Sequence, residues 1–231
     1  MPNKKAIKST LELFNLDRID RDVFQWKGQN FGWQRIYGGQ VMAQCLIAAN
    51  HTVEAPHQAH KFLEILADAC FEYLKRQIVS GVDAIQIFDS WANLLSEEQY
   101  LEYSLKYIKK ILKKLSEDPV TNKTPTIVFA RDPKCNLDEF KLDDLSCYGM
   151  FTSIDPSSAI RVFEGSHALQ GNLDPKILLE EDSVIKESVL KILSEFKDFP
   201  GYIFNLGHGI TPDINPDKVK VLVEAIRESG S

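Results

Sequence analysis

Apolar residues from about position 60 onward follow two spacings in turn, one typical of buried strands and one typical of helices. Five short apolar runs predict strands, at residues 84–88, 126–130, 148–154, 167–170 and 202–206. Before, between and after them, apolar positions at helical spacing predict an initial helix that ends near Gly81 and five further helices. Strands of a parallel sheet are buried on both faces and joined by helical crossovers, so this alternation predicts an α/β fold with a parallel sheet. The pattern does not distinguish a doubly wound sheet from part of a barrel.

One helix is marked clearly at its start and along its faces. Ser96 is predicted to cap it, with Glu97 and Glu98 placed favourably in the first turn. Its buried stripe is predicted at Leu105, Ile108, Ile111, Leu112 and Leu115. The lysines of its other face resemble a nucleic-acid or membrane patch at first, but the solvated face of an amphipathic helix explains them better. These lysines are Lys106, Lys109, Lys110, Lys113 and Lys114.

The remaining helices have weaker or partial signals. The initial helix is predicted to bury one face, made of Phe62, Leu63, Leu66, Cys70, Tyr73 and Leu74. A weak helix is predicted at 137–145 and a short one at 157–163. Either Asp182 or Ser183 is expected to cap the next helix, and Asn215 with Pro216 to begin the last.

Residues 1–56 have a different character. Leu11, Phe14, Leu16 and Ile19 predict a short helix, and residues 23–26 a strand. A glycine-rich stretch follows, and an apolar run at 41–49 opens a further helix after Gly39. This part is too short to form a domain with its own core.

Composition narrows the class of protein. The chain is 44% hydrophobic and 26% charged, as is typical of soluble globular proteins. Its net charge of −6, without a basic stripe interleaved with aromatic residues, argues against a nucleic-acid partner. No apolar stretch is long enough for a membrane span, and the N-terminus lacks the features of a secretory signal. The four cysteines form no CxxC pair, so reduced thiols and a cytoplasmic location are expected.

Polar residues follow the predicted strands, where parallel α/β barrels carry their functional groups. They are Asp89, Ser90, Arg131, Asp155, Asn172, Asp174 and His208. Each one alone is explained equally well as a cap or turn residue. Ser90 and His208 are favoured as functional. In the case of His208, the two flanking glycines are expected to let the backbone adopt positive φ and approach a ligand closely.

Other chemical motifs are weak. His57 and His60 have a spacing that could hold a metal, but the sequence places no third ligand, so no metal site is predicted. No glycine-rich nucleotide-binding motif follows any strand, and no GxSxG nucleophile motif occurs.

Four segments, taken together, resemble uroporphyrinogen decarboxylases. They are IQIFDSWANLLS at 85–96, YSLKYIKKIL at 103–112, ALQGNLDP at 168–175 and FNLGHGITPD at 204–213. The resemblance runs from about residue 57 to 231 and implies the C-terminal portion of a (β/α)₈ barrel, with about five parallel strands. It implies an enzyme that removes carboxyl groups from the acetate side chains of uroporphyrinogen, without metal or cofactor.

In this family a protonated pyrrole ring accepts the electrons as CO₂ leaves, an aspartate stabilises the positive intermediate, and arginines bind substrate carboxylates. The resemblance implies that Ser90 and His208 contact substrate, with Arg131, Asn172 and Asp174 as further candidates. The family's arginine-rich motif, catalytic aspartate and substrate-contacting tyrosine have no counterpart in this sequence, so no catalytic residue is assigned. Two departures lie within the matching part: Arg131-Asp132 replaces a lysine-glycine pair, and Phe151-Thr152 replaces an Asp-Trp pair.

Residues 1–56 resemble something else. LELFNLDRIDRDVFQWKG and GWQRIYGGQVMAQCLIAANHTV are similar to the start of a type II acyl-CoA thioesterase of the hot-dog family. The expected organisation is therefore a hot-dog-like fragment at 1–56 and a partial decarboxylase barrel at 57–231. Neither part is expected to hydrolyse acyl-CoA.

These resemblances predict a truncated decarboxylase that binds a tetrapyrrole, forms a homodimer, and by itself shows little or no decarboxylation. The alternative is a non-catalytic remnant, or a module that binds a tetrapyrrole or a protein partner. A methyltransferase of the same barrel superfamily is a weaker alternative, since those proteins carry a zinc-binding cysteine where this chain has His208.

Overall fold

The computed structural model describes residues 17–20, 23–25 and 56–229. The chain forms two compact units, Met1–Glu64 and Ile65–Ser231, and each is described here by itself. In the first unit, strands β1 (Asp17–Asp20) and β2 (Val23–Gln25) pair in antiparallel fashion. The strand predicted at 23–26 is thereby confirmed. Ile19 lies in a strand rather than in the predicted helix, whose other residues, like the helix at 41–49, fall outside the described residues.

The second unit is built on a parallel sheet of five strands in chain order. They are β3 (Ile85–Asp89), β4 (Thr126–Ala130), β5 (Cys147–Gly149), β6 (Ala168–Gln170) and β7 (Tyr202–Ile203). Each predicted strand is present, although β5 and β7 are shorter than the apolar runs that predicted them. Neighbouring strands follow one another along the chain with helices between them. This order confirms the predicted α/β architecture and is that of consecutive strands in a barrel.

Six α-helices accompany the strands in the described residues. They are α1 (Pro56–Val79), α2 (Glu97–Tyr100), α3 (Lys106–Glu117), α4 (Pro156–Phe163), α5 (Asp182–Glu195) and α6 (Pro216–Ser229). A π-helical turn, Leu101–Leu105, joins α2 to α3. Short 3₁₀ turns occur at Ala92–Leu94, Leu137–Phe140 and Pro175–Leu179. The helix predicted at 137–145 is therefore wrong beyond its first turn.

The start of α2 agrees closely with the sequence. The Ser96 hydroxyl accepts a hydrogen bond from the Gln99 backbone, and the Gln99 side chain accepts one from the Ser96 backbone, which completes a capping box. All five residues of the predicted stripe are buried. The five lysines of the opposite face pair with Asp68, Glu102, Glu117 and Glu139, which confirms a solvated face.

Two helix predictions need correction. In α1, Leu74 is buried and Phe62, Leu63, Leu66 and Cys70 are half-buried, as predicted, but Tyr73 is 64% exposed, and Ala67 and Phe71 complete the buried face. Helix α5 already includes Asp182, and the residue before it, Glu181, makes no capping bond with its side chain. The predicted caps Asp182 and Ser183 are therefore first-turn residues.

Two apolar clusters hold the helices against the sheet. One contains a series of neighbouring aromatic rings. The ring centroids of Phe140 and Tyr148 lie 4.6 Å apart, and Tyr148 stacks on Phe163 with centroids 5.2 Å apart. The other cluster joins Leu173 and Leu178 to buried residues of α5 and α6. Both clusters anchor the loops that follow the strands, where the candidate site lies.

Candidate functional site

Alternate residues of the strands open into a cavity of about 710 Å³ at the carboxyl end of the sheet. In β3 and the position after it, Gln86, Phe88 and Ser90 line the cavity, and in β4 and the position after it, Phe129 and Arg131 do so. This spacing of two follows from the alternation of side chains along a strand. The other lining residues are Gly149, Met150, Gln170, Asn205, Leu206, His208, Gly209, Ile210 and Thr211.

The sheet curves around this cavity. Nε2 of Gln170, in β6, donates to Oε1 of Gln86, in β3, at 3.5 Å, although two strands lie between them. Adjacent strands are about 4.8 Å apart, so in a flat sheet the backbones of β3 and β6 would lie about 14 Å apart. Gly149 also lines the cavity, and it packs closely on the neighbouring strand, because a Cβ there would lie 3.1 Å from the Phe129 Cβ.

The structure brings together three of the predicted site residues, Ser90, Arg131 and His208, which all line the cavity. Asn172 and Asp174 do not line it. The buried Asn172 amide donates to the carbonyl oxygens of Phe151 at 3.1 Å and Ile154 at 2.7 Å, and so holds the loop after β5. Asp174 accepts a hydrogen bond from the Lys176 backbone and caps a 3₁₀ turn.

Arg131 gives the cavity its charge. Its side chain is exposed, and within the described part of the chain no carboxylate forms an ion pair with it. None of the residues that line the described cavity is Asp or Glu. An arginine that faces a cavity without acidic residues suits an anionic ligand, above all a carboxylate.

Asp89 stabilises the turn that presents Ser90. The Ser104 hydroxyl and the Trp91 backbone N–H both donate to its carboxylate. Burial raises the pKa of Asp89, and these two hydrogen bonds oppose the rise. Ser104 lies in the π-helical turn, a distortion that is frequent next to functional sites. Asp155, the other acidic residue predicted at a strand end, instead caps α4 by accepting from the Ser158 backbone.

His208 lies on the loop after β7, which packs directly on the loop after β5. Its imidazole stacks on the Phe151 ring with centroids 5.7 Å apart. A Cβ on Gly207 would lie 2.5 Å from the Thr152 backbone nitrogen, so this position requires glycine for close approach. Neither Gly207 nor Gly209 has a positive φ, and the conformational role predicted for these glycines is therefore wrong.

A family model for uroporphyrinogen decarboxylase matches residues 38–229, which is most of the chain. This chain belongs to the uroporphyrinogen decarboxylase family. The uroporphyrinogen decarboxylase of Alcanivorax borkumensis is 40% identical over 173 residues, covering 75% of this chain and 49% of that protein. The one of Chlorobium chlorochromatii is 41% identical over 182 residues, covering 76% of this chain and 50% of that protein. The chain thus spans about half the length of the curated relatives it matches.

A solved structure supports the fold. A methyltransferase from Methanosarcina mazei matches with a TM-score of 0.58 and 19% identity, covering 71% of this chain and 48% of that one. At this identity the likeness extends to the fold alone. The expected likeness of residues 1–56 to hot-dog thioesterases is not supported by these comparisons, and the decarboxylase model includes residues 38–56 of that stretch.

The two departures from the family pattern both lie at the site. Asp132, where the resemblance implies glycine, has a φ of +46°, and its carboxylate accepts a hydrogen bond from the Ser153 hydroxyl at 3.1 Å. Asp tolerates this left-handed conformation better than most residues. Phe151, where the resemblance implies aspartate, contributes the ring that contacts His208.

Sequence reasoning missed several residues of this decarboxylase-family site. The glutamines Gln86 and Gln170, and the apolar Leu206 and Ile210, line the cavity but carry no motif that marks them as functional. The alternation of Gln86, Phe88 and Ser90 along one strand was the available signal. The sequence identifies Phe151 only as a departure from the family pattern, because its contact with His208 depends on how two loops pack.

The described residues offer little for metal or thiol chemistry. Nowhere among them do three or more His, Cys, Asp or Glu side chains cluster as metal ligands do, and His57 and His60 both lie in α1. Burial raises the pKa of Cys135 to about 11 and of Cys147 to about 12, so neither thiol forms a nucleophilic thiolate at neutral pH. In the part of the chain that the structure describes, no helix has both the length and the apolar character needed to cross a membrane.

Proposed function

We propose that this chain binds uroporphyrinogen at the carboxyl end of its sheet, with Arg131, Ser90 and His208 contacting the acidic side chains of the substrate. The observation that carries the proposal is Arg131. It lines a cavity without a described carboxylate, and an unpaired guanidinium there binds a substrate carboxylate through two parallel hydrogen bonds. The relatives that share this half of the fold are named uroporphyrinogen decarboxylases.

The walls of the cavity suit the rest of the ligand. Phe88, Phe129 and Leu206 are apolar and offer contact to pyrrole rings, while the Ser90 hydroxyl and the His208 imidazole offer hydrogen bonds. A volume of about 710 Å³ is within the range of small-molecule sites. In this proposal Asn172 and Asp174 do not contact the ligand. Their side chains hydrogen-bond to backbone groups of nearby loops and so support the site indirectly.

Decarboxylation requires more than binding. The electron pair of the bond to the departing CO₂ moves into a protonated pyrrole ring, and a proton then replaces CO₂ on the acetate carbon. The cationic ring needs an anionic group beside it, and no Asp or Glu lines the described cavity. We therefore propose that these 231 residues, by themselves, bind the tetrapyrrole but decarboxylate it slowly or not at all, since loss of such an electrostatic group costs orders of magnitude in rate.

Binding is tested by titration with uroporphyrin, the stable oxidised porphyrin with the same acidic side chains. Arg131→Met is expected to weaken binding about tenfold to a hundredfold, since it removes a charged hydrogen-bond donor. Arg161→Met removes the same charge from the exposed face of α4 and serves as the matched control. If the unsubstituted chain does not bind, or if the two variants bind equally well, the proposal is wrong.

Turnover is tested separately by anaerobic incubation with uroporphyrinogen and chromatography of the oxidised products. The expected result is uroporphyrin alone or traces of partly decarboxylated species. Conversion to coproporphyrinogen at a rate close to that of the Alcanivorax borkumensis enzyme would contradict the proposal of a binding half-site.

We further propose that the protein is cytoplasmic and that the chain divides near residue 56 into an N-terminal part, residues 1–56, and the decarboxylase-related part, residues 57–231. The cysteines of the described residues are free thiols, in keeping with a reducing compartment. Comparison of the full chain with a 57–231 variant by thermal unfolding tests the division near residue 56. Equal melting temperatures are expected, and a large loss in the shorter chain would contradict separate parts.

A further inference from the structure

We propose that Phe151 is a positioning residue for His208: its ring fixes the plane of the imidazole and thereby the nitrogen that His208 presents to a ligand. This inference rests on the proposed function, in which His208 contacts the acidic tetrapyrrole. It assigns a role to a side chain that does not itself line the cavity.

The stack defines the orientation of the imidazole ring. The two ring planes are inclined by 23° and their centroids lie 5.7 Å apart, so the imidazole and the phenyl ring are stacked with an offset. Such a face contact restricts rotation about the bond that joins the imidazole to its Cβ. Both residues are half-buried, and the remaining side of the imidazole is open to the cavity.

A hydrogen bond then selects the nitrogen. Nδ1 of His208 lies 2.9 Å from the carbonyl oxygen of Gly209. A carbonyl oxygen only accepts, so Nδ1 carries the proton and donates. Nε2 is the nitrogen left for a ligand, and it donates to a substrate carboxylate when the imidazole is protonated. Loss of the stack would allow the ring to turn away from both partners.

The two backbones behind the stack are fixed on each side. On the Phe151 side, the buried Asn172 amide holds the carbonyl oxygen of Phe151 itself. On the His208 side, the Gly207 N–H donates to the Leu173 carbonyl oxygen at 2.8 Å, and Gly207 lies in close contact with Thr152. The Phe151 ring therefore extends from a rigid loop, as a positioning group must.

Phe151 is one of the departures from the family pattern that lie in the matching part of the chain. Where the resemblance implies an aspartate, an aromatic ring contacts the imidazole through dispersion and quadrupole interactions instead of a charge. Arg131 and Asp132, at the end of β4, are the charged groups on the neighbouring strand end. Asp132 is engaged by Ser153, and Arg131 faces the cavity. The Phe151 ring thus orients His208 without competing with substrate carboxylates for its charge.

Two variants and one double mutant test the role. Phe151→Leu keeps an apolar side chain but removes the ring, and Phe151→Tyr keeps the ring. We expect Phe151→Leu to change the imidazole proton chemical shifts of His208, because the ring-current contribution of Phe151 is lost, and to weaken uroporphyrin binding about two- to tenfold. Phe151→Tyr should retain both the chemical shifts and the affinity.

The double mutant separates positioning from general packing. In a His208→Ala background, Phe151→Leu should cause no further loss of binding, since a residue that acts through His208 has nothing left to orient. Unchanged His208 resonances in Phe151→Leu, or an equal loss of affinity in both backgrounds, would overturn the inference. If Phe151→Leu does not fold, Phe151→Met takes its place. Failure of the unsubstituted chain to bind uroporphyrin would refute the proposed function, while the resonance comparison would still decide whether the stack exists.

Discussion

At the scale of single residues, the two glycines around His208 show how similar positions in sequence differ in structure. Gly207 precedes and Gly209 follows the same candidate side chain, yet only Gly207 is in close contact with another backbone. A sequence pattern finds His208, because a histidine between glycines after a strand stands out. It does not reveal which glycine is necessary, because that depends on the loop that carries Thr152.

The glycine pair gives a matched prediction. In Gly207→Ala, the new Cβ would lie 2.6 Å from the Thr152 Cα, so one backbone must shift; we expect a loss of about 1 to 3 kcal/mol in the free energy of unfolding and weaker porphyrin binding. In Gly209→Ala, the new Cβ would have no heavy atom within 4 Å, so the free energy of unfolding should change by less than about 0.5 kcal/mol. Urea unfolding measures both. Equal effects of the two substitutions would show that the loop contact is absent.

At the scale of elements, predictions succeeded where a local signal decides the structure. The capping box at Ser96 and the apolar stripe of α3 depend on residues a few positions apart, and both are confirmed. The π-helical turn before α3 was not foreseen, since no residue type specifies it. This turn contains Ser104, whose hydroxyl donates a hydrogen bond to Asp89, the residue before the candidate Ser90.

The Asp89–Ser104 contact is tested by Ser104→Ala. Removing the hydroxyl leaves a half-buried carboxylate with one donor fewer, so we expect a loss of about 1 to 3 kcal/mol in the free energy of unfolding at neutral pH. Ser116→Ala is a suitable control, because the Ser116 hydroxyl bonds only to a backbone carbonyl one turn earlier in α3. A loss no larger than that of the control would refute a role for Ser104 in holding the turn.

Asp89 also gives a prediction of pH dependence. Burial raises its pKa in the folded protein above the ordinary value of 3.8, so the folded state binds this proton more tightly than the unfolded state. The stability that Asp89 contributes is fully present below the unfolded pKa and is lost as pH rises through the folded pKa. Asp89→Asn does not titrate, so its stability relative to the unsubstituted protein should increase from pH 3 to pH 7, as measured by denaturant unfolding. A difference that stays constant with pH, or that falls, would contradict the raised pKa.

At the scale of the whole molecule, the second unit presents two sheet edges. Among the described strands, β3 pairs only with β4, and β7 only with β6. Near the β3 edge, Phe88, Trp91 and Leu94 are each more than half exposed. The sequence predicted the number of strands and their alternation with helices, because apolar runs and helical spacing are repeated along the chain. It did not predict how strongly the sheet curves, since curvature results from packing across strands, as in the Gln86–Gln170 contact.

These edges lead us to propose self-association. Unpaired strand edges and exposed apolar side chains favour association between copies, so we expect light scattering to report a homodimer at micromolar concentration. Trp91→Ser and Leu94→Ser together should shift the mass toward the monomer without lowering the melting temperature. A monodisperse monomer with a sharp melting transition for the unsubstituted chain would contradict this expectation.

In the proposed function, the carboxyl end of the sheet binds the acidic side chains of a tetrapyrrole through Ser90, Arg131 and His208. The most direct test is backbone amide NMR of the labelled chain during titration with uroporphyrin. Binding at this site should produce the largest shifts at these three residues and at Gly207 and Gly209, with the helices on the outer side of the sheet unaffected. Shifts that cluster on the outer helices, or no shifts at all, would contradict it.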